Sequence, residues 1–295
     1  MRKEGVAMEN KGLSMVTLTH FFRRRTFSRE ISGWDVPVYS KVVNGLYEKN
    51  LEYSNLDIIH DAYQLLETFY RNEYFYKNTL FNKLLLGVHS LNTTTALTEL
   101  PVVSAKADFI LINGKAVVFE IKTGLDNFER LDRQVTNYYK AFDHVALVTD
   151  IKNLNKVSHY PDLPITVGIY LLQENNRLKT IRKPLRWCKD LNKKAMFRIL
   201  RKREYEDILL EAYHDLPSVP PVDYYKGCYG WFSKLPMEYI YPRFLGNLKN
   251  RSKVKNQNLF NEVPYELKSL VYFMNFSETD YIKLKDFLKR PARRN

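Results

Sequence analysis

Cysteine is nearly absent from this chain: Cys188 and Cys228 are the two among 295 residues. A disulfide framework is thereby excluded, and a reducing compartment, the cytoplasm, is the expected setting. A zinc site assembled from Cys188, Cys228 and a histidine such as His214 lacks ligand spacing, so the thiols read as structural. No apolar run approaches the length of a membrane span and the N-terminus shows no signal-peptide core, so a soluble protein without a membrane partner is expected. Internal repeats and low-complexity tracts are missing as well. Acidic residues are in deficit, 33 against 46 Lys and Arg, which leaves a formal charge of +13 and a pI near 9.4. Such an imbalance attracts polyanions, nucleic acid first among them, although a basic pI can also serve solubility alone. The hydrophobic fraction, 45%, fills the core of one large domain or two ordinary ones.

What the chain does have is a charged hairpin. Residues 107–122 read as two apolar strands around Asn113-Gly114, yet they carry Asp108, Glu120 and Lys122. Buried ionised groups cost several kcal/mol unless a partner or a metal compensates them, and a metal site is the simplest compensation. The register decides whether the acids can cooperate. A two-residue loop puts Asp108 opposite Phe119 and sends the two carboxylates to opposite faces. A three-residue loop, Asn113-Gly114-Lys115, pairs Asp108 with Glu120, Phe109 with Phe119 and Leu111 with Val117. That register sorts Phe109, Leu111, Val117, Phe119 and Ile121 onto one face and Asp108, Glu120 and Lys122 onto the other.

Asp108 followed by Glu120-Ile121-Lys122 resembles the signature of the PD-(D/E)XK nuclease superfamily, with Ala107 standing where the name-giving proline would be. Gln134 and Tyr138, which follow on the next helix, are similar to the Gln-x-x-x-Tyr element of the RecB-like branch. The resemblance covers residues 72–175. It implies an α/β fold: a restriction-endonuclease-like mixed central sheet flanked by helices, here with a helical N-terminal extension and a basic, aromatic-rich C-terminal region. It also implies a divalent-metal-dependent nuclease, probed first as an endodeoxyribonuclease, with DNA favoured over RNA and a phage, mobile-element or defence setting. Asp108, Glu120 and the carbonyl of Ile121 would hold Mg²⁺ or Mn²⁺. Lys122 would orient the attacking water or stabilise the transition state, and Gln134 and Tyr138 would position the scissile strand. Glu73 or Glu99 would add a carboxylate; for Glu73 the competing reading is a surface pair with Lys77 at i,i+4. The alternative function is a non-catalytic nucleic-acid-binding or assembly subunit that retains the fold.

Along the chain, residues 1–12 read as a disordered tail, 13–71 as a helical region, 72–175 as the nuclease core and 176–295 as the C-terminal region. Phe21-Phe22-Arg23-Arg24-Arg25 either grips phosphate or ends a helix in solvent. Ser54 and Asp57 open a helix, a second runs from about 72 to 86, and Asp126 with Glu129 signals a third. Strands are expected at 96–101, 144–150 and 165–172, with a helix near 151–159 between the last two. Beyond Asn175 basic residues dominate. Lys106, Arg130, Arg133, Arg182, Lys183, Arg186, Arg198, Arg201 and Arg203 are the candidate nucleic-acid contacts, set against the alternative of a solvated charged face. Residues 224–232 are rich in aromatics and read equally as core, stacking platform or protein interface, so a homodimer or protein partner through this region stays open. Residues 247–258 read as a mobile loop, and Ser277 with Asp280 opens a last amphipathic helix.

Overall fold

The computed structural model describes residues 13–46, 52–124, 126–158, 160 and 163–293, and the expected tail over 1–12 lies outside them. Five helices come first: α1 (Met15–Phe21), α2 (Arg24–Ile31), α3 (Pro37–Leu46), α4 (Asn55–Phe69) and α5 (Glu73–Leu80), the last running into a π-helical stretch, Phe81–Leu86. The sheet follows, with β1 (Thr95–Val102), β2 (Ala105–Asn113), β3 (Lys115–Lys122), α6 (Leu131–Tyr139), β4 (His144–Thr149), α7 (Ile151–Ser158), β5 (Gly168–Leu172) and β6 (Leu178–Arg182). Then come α8 (Lys193–Ile199), α9 (Lys202–Tyr213), α10 (Tyr224–Lys234), α11 (Met237–Lys249), α12 (Gln257–Asn261), α13 (Lys268–Met274) and α14 (Glu278–Lys289). The chain forms two compact units, one of residues 1–82 and 254–295, the other of residues 83–253.

In the helical unit the start signals do what their chemistry requires. Ser54 and Asp57 form a reciprocal capping box on α4, and Ser277 and Asp280 form another on α14. Its core is aromatic, with Phe22 stacked on Tyr74 at 4.7 Å and Phe21 on Tyr39 at 5.4 Å. Of the arginine triplet, Arg24 lies over the Phe273 ring at 5.4 Å, while Arg23 and Arg25 are exposed.

The sheet unit is built on a six-stranded mixed sheet in the order β1-β2-β3-β4-β5-β6. β1–β2, β2–β3 and β5–β6 are antiparallel, and β3–β4 and β4–β5 are parallel, reached through α6 and α7 as crossovers require. The expected mixed central sheet flanked by helices is therefore present. β3 is an interior strand, buried from Ala116 to Lys122, which is why its sequence is nearly continuous in apolar residues. Helices α6, α8 and α11 cover one face, where Ile110, Val118, Tyr138, Phe142, Phe197 and Phe244 share a core.

Two expectations need correction. The division at residue 175 is not where the units part: β6 adds a strand beyond it, and α8 to α11 bury apolar residues in the same core as the sheet. Residues 193–203 are basic on their exposed side alone, since Ala195, Met196 and Phe197 are buried. Secondly, the helix signalled by Asp126 and Glu129 starts at Leu131, because Asp126 uses its carboxylate on the N–H and hydroxyl of Thr123, both at 2.8 Å. Of the aromatic segment, Phe232 is core, packed 5.1 Å from Phe197, whereas Tyr225 is half exposed. The expected loop at 247–258 is shortened from both ends by α11 and α12.

Candidate active site

The hairpin adopts the three-residue register. Phe109 pairs with Phe119, Leu111 with Val117 and Asn113 with Lys115, leaving Gly114 alone at the tip with φ +69, a left-handed conformation that costs a residue with a Cβ about 1–2 kcal/mol. Phe109 and Phe119, paired with ring centres 6.0 Å apart, mark one face. Asp108 and Glu120, each one residue further along, therefore share the other face, the one that α6 covers.

Glu120 is only 2% exposed and is surrounded by donors. Its Oε2 accepts the Tyr138 hydroxyl at 2.6 Å, and its Oε1 accepts Gln134 Nε2 at 2.5 Å and lies 3.3 Å from Lys122 Nζ. Lys122 Nζ donates in turn to Gln134 Oε1 at 3.0 Å. The i,i+4 spacing of Gln134 and Tyr138 on α6 is what lets both reach one carboxylate. Burial nonetheless wins over these partners and raises the Glu120 carboxyl above its ordinary value, with the Tyr138 hydrogen bond the strongest influence in the other direction. The Tyr138 hydroxyl is raised by burial and then by the negative charge of Glu120 and, more weakly, Asp108, so both acids lie close enough to act on it.

Asp108 accepts the backbone N–H of Ile121 through Oδ2 at 2.9 Å, a bond across the hairpin, and its own carbonyl accepts the Thr98 hydroxyl at 2.7 Å. Glu99 lies between the pairs Thr98–Phe109 and Leu100–Ala107, hence opposite Asp108, with φ +58 in mid-strand, and forms an ion pair with Lys106. A non-glycine residue held there is strained, as functional sites often are. Glu73 belongs to the helical unit and pairs with Lys77 at 2.5 Å, so the surface-pair reading accounts for it. The end of β3 is tied down by the Thr149 hydroxyl on the Lys122 carbonyl at 2.8 Å and by Asn153 on the Thr123 carbonyl at 2.7 Å. Neither residue stands out in the sequence.

The candidate nucleic-acid contacts separate by position. Arg130 and Arg133 are exposed at the start of α6, close in sequence to Gln134. Arg182 donates to the Val167 carbonyl at 2.8 Å and Arg186 to Asp143 Oδ2 at 3.1 Å, both at the N-terminal ends of β5 and β4. Because His144 pairs with Val117 and Thr149 with Lys122, those ends lie about 15 Å along the strands from Lys122. Lys183, Arg198, Arg201 and Arg203 are exposed. The sequence gives no sign of the network around Asp143, which is buried and also accepts His144 Nδ1 and the Tyr241 hydroxyl, each at 2.7 Å. Burial opposes its ionisation, but those donors and Arg186 outweigh it and lower the carboxyl below its ordinary value.

Among the described residues no group of three or more His, Cys, Asp or Glu could hold a metal. Two carboxylates on one face are still a donor set that suits Mg²⁺ or Mn²⁺, which take one or two protein carboxylates and complete their shell with water and substrate oxygens. The raised, desolvated Glu120 is also a group that a nearby cation would stabilise. The residues fit the ion in type. Cys188 is exposed and Cys228 buried, and no helix among the described residues is long and apolar enough to cross a membrane.

Residues 67–270 match the family model of bacteriophage P4 protein cII. Protein cII of Enterobacteria phage P4 is 35% identical over 124 residues, 40% of this chain and 46% of that protein, so the alignment spans less than half of the relative. Among solved structures, a SPO1766 protein of unknown function from Silicibacter pomeroyi aligns over 42% of this chain and 82% of its own at 16% identity, with a TM-score of 0.29 too low to bear on fold or function.

Proposed function

The chain belongs to the bacteriophage P4 protein cII family, and we propose that it is a divalent-metal-dependent nuclease acting on phosphodiester bonds, DNA before RNA, with a restriction-endonuclease-like sheet. The observation that carries this reading is the convergence of Lys122, Gln134 and Tyr138 on the buried carboxylate of Glu120, with Asp108 opposite it across the hairpin. A purely structural hairpin has no use for such an assembly, which costs several kcal/mol in desolvation.

Asp108, Glu120 and the Ile121 carbonyl would hold Mg²⁺ or Mn²⁺. When bound, the ion supplies positive charge against the phosphate and makes water a stronger acid. Gln134 and Tyr138 fix the rotamer of Glu120 through its two oxygens. Gln134 also holds Lys122, so the ammonium is oriented before substrate arrives and can donate to the attacking water or to a non-bridging phosphate oxygen. Arg130 and Arg133 are the basic residues whose place in the chain suits contact with the scissile strand.

A second reading, a non-catalytic nucleic-acid-binding or assembly subunit, is favoured by one observation: both oxygens of Glu120 already accept hydrogen bonds within the protein. Incubation with circular DNA, linear DNA, single-stranded DNA and RNA in parallel, each with Mg²⁺ and with EDTA, separates the two. Cleavage that EDTA stops supports the nuclease; binding without cleavage under every condition supports the subunit.

A further inference from the structure

The helical unit contains a cavity of about 300 Å³ between the α2–α3 connection, the start of α4 and the end of α14. Its floor is made of buried side chains, Tyr39, Ser40, Asn55 and Phe287. Glu30 forms one wall, partly buried, with Oε1 fixed by the Val36 N–H at 2.8 Å. Trp34, Asp35, Arg290 and Arg293 stand around the rim, all exposed, and Gly33 with φ +85 makes the turn that presents Trp34 and Asp35. This volume is at the small end of ligand pockets, enough for an amino-acid-sized molecule and too little for a peptide or a dinucleotide.

The charges are arranged by sign. Glu30 is pushed up to about 7 by burial, with Asp35 adding to the effect and the Val36 N–H, Arg293 and Arg29 opposing it. Glu30 lines the cavity and is costly to ionise there, so a cation entering beside it is favoured. Trp34 is 64% exposed, with the Arg29 guanidinium 5.6 Å from its ring centre, so it adds an aromatic surface of the kind that attracts cations. Arg290 and Arg293 at the rim supply the opposite preference. We propose that this cavity binds a small zwitterion, its ammonium or guanidinium group held by Glu30 and Asp35 against Trp34, and its carboxylate or phosphate held by Arg290 and Arg293. The site is independent of the chemistry assigned to the sheet.

Isothermal titration calorimetry of the full chain with L-arginine and L-lysine tests this, the pair distinguishing guanidinium from ammonium. Agmatine, which lacks the carboxylate, and L-glutamate, which lacks the side-chain cation, serve as controls. At pH 8, where Glu30 is ionised, at least one of the two amino acids should bind saturably, about tenfold more tightly than either control. Affinity should fall between pH 8 and pH 6 as Glu30, which Asp35, Arg29, Arg290 and Arg293 surround, takes up its proton against the ligand cation. Glu30→Gln and Trp34→Ala should each weaken binding about tenfold, and Trp34 is exposed enough for its replacement to leave the fold intact. Failure of both amino acids to bind below about 10 mM, or unchanged affinity in both variants, would overturn the proposal.

Discussion

Removing one oxygen atom from Tyr138 isolates the energetics of the buried carboxylate. In Tyr138→Phe the fully buried ring keeps its shape, while the hydroxyl is lost whose single proton has Glu120 at 2.6 Å and, as a longer second acceptor, the Lys106 carbonyl at 2.9 Å. A hydrogen bond to an ionised group contributes about 1.5–3 kcal/mol and one between neutral groups about 0.5–1.5. The Glu120 carboxyl is raised above its ordinary 4.5 by burial, so its contribution to stability is fully present below that value and is lost as the pH rises through the folded-state value. The Tyr138 bond limits this loss, and without it the carboxyl rises further. The deficit of the variant should therefore grow with pH, from about 1 kcal/mol at pH 5 to about 2–3 kcal/mol at pH 8. Urea unfolding of both proteins, followed by circular dichroism at pH 5, 6.5 and 8, reads it directly. A deficit equal at pH 5 and pH 8, or under about 0.5 kcal/mol at both, would refute the reasoning.

Asp143→Asn should cost about 3 kcal/mol at pH 7, since it weakens bonds to His144, Tyr241 and Arg186 at a buried site. Because the folded-state value of Asp143 is lowered, that stability is present above the ordinary 3.8 and is lost as the pH falls through the folded value, so thermal melts of wild type and variant should converge in acid. Replacing Arg198, Arg201 and Arg203 together with alanine should weaken nucleic-acid binding by up to three counterions' worth of salt slope and leave the melting temperature within a few degrees, as all three are exposed. An unchanged slope of log affinity against log salt would place the contacts elsewhere.

The hairpin is the part of the molecule most legible in the sequence. Its register follows from strand alternation, from Asn113-Gly114 and from the need to keep two acids together, and Phe109 does pair with Phe119. The caps at Ser54 and Ser277 are equally local, hence equally readable. Competing local bonds and long-range partners are less legible. Asp126 looks like a helix start but is spent on Thr123, three residues back. β6 has no signal in the sequence, because a short edge strand with three exposed residues among five lacks the apolar pattern of a buried one. The division into units has no local signal, because residues 254–295 join the N-terminal helices in one unit, a long-range association that composition does not encode. Asp143, His144, Arg186 and Tyr241 span almost a hundred residues, so their meeting has no local signal. Arg182 and Arg186 read from charge as nucleic-acid contacts, and no local pattern signals the partners that hold them at the N-terminal ends of β5 and β4.

The central claim is that the Glu120 assembly performs hydrolysis, and its most direct measurement is plasmid cleavage in Mg²⁺ by wild type, Asp108→Ala, Glu120→Ala and Lys122→Ala, with DNA affinity measured on the same preparations. Wild type should cleave and each variant should lose cleavage while keeping most of its affinity, which phosphate contacts spread over the basic surface supply. A wild-type protein that binds but never cleaves, or any of the three variants cleaving at the wild-type rate, would contradict the account.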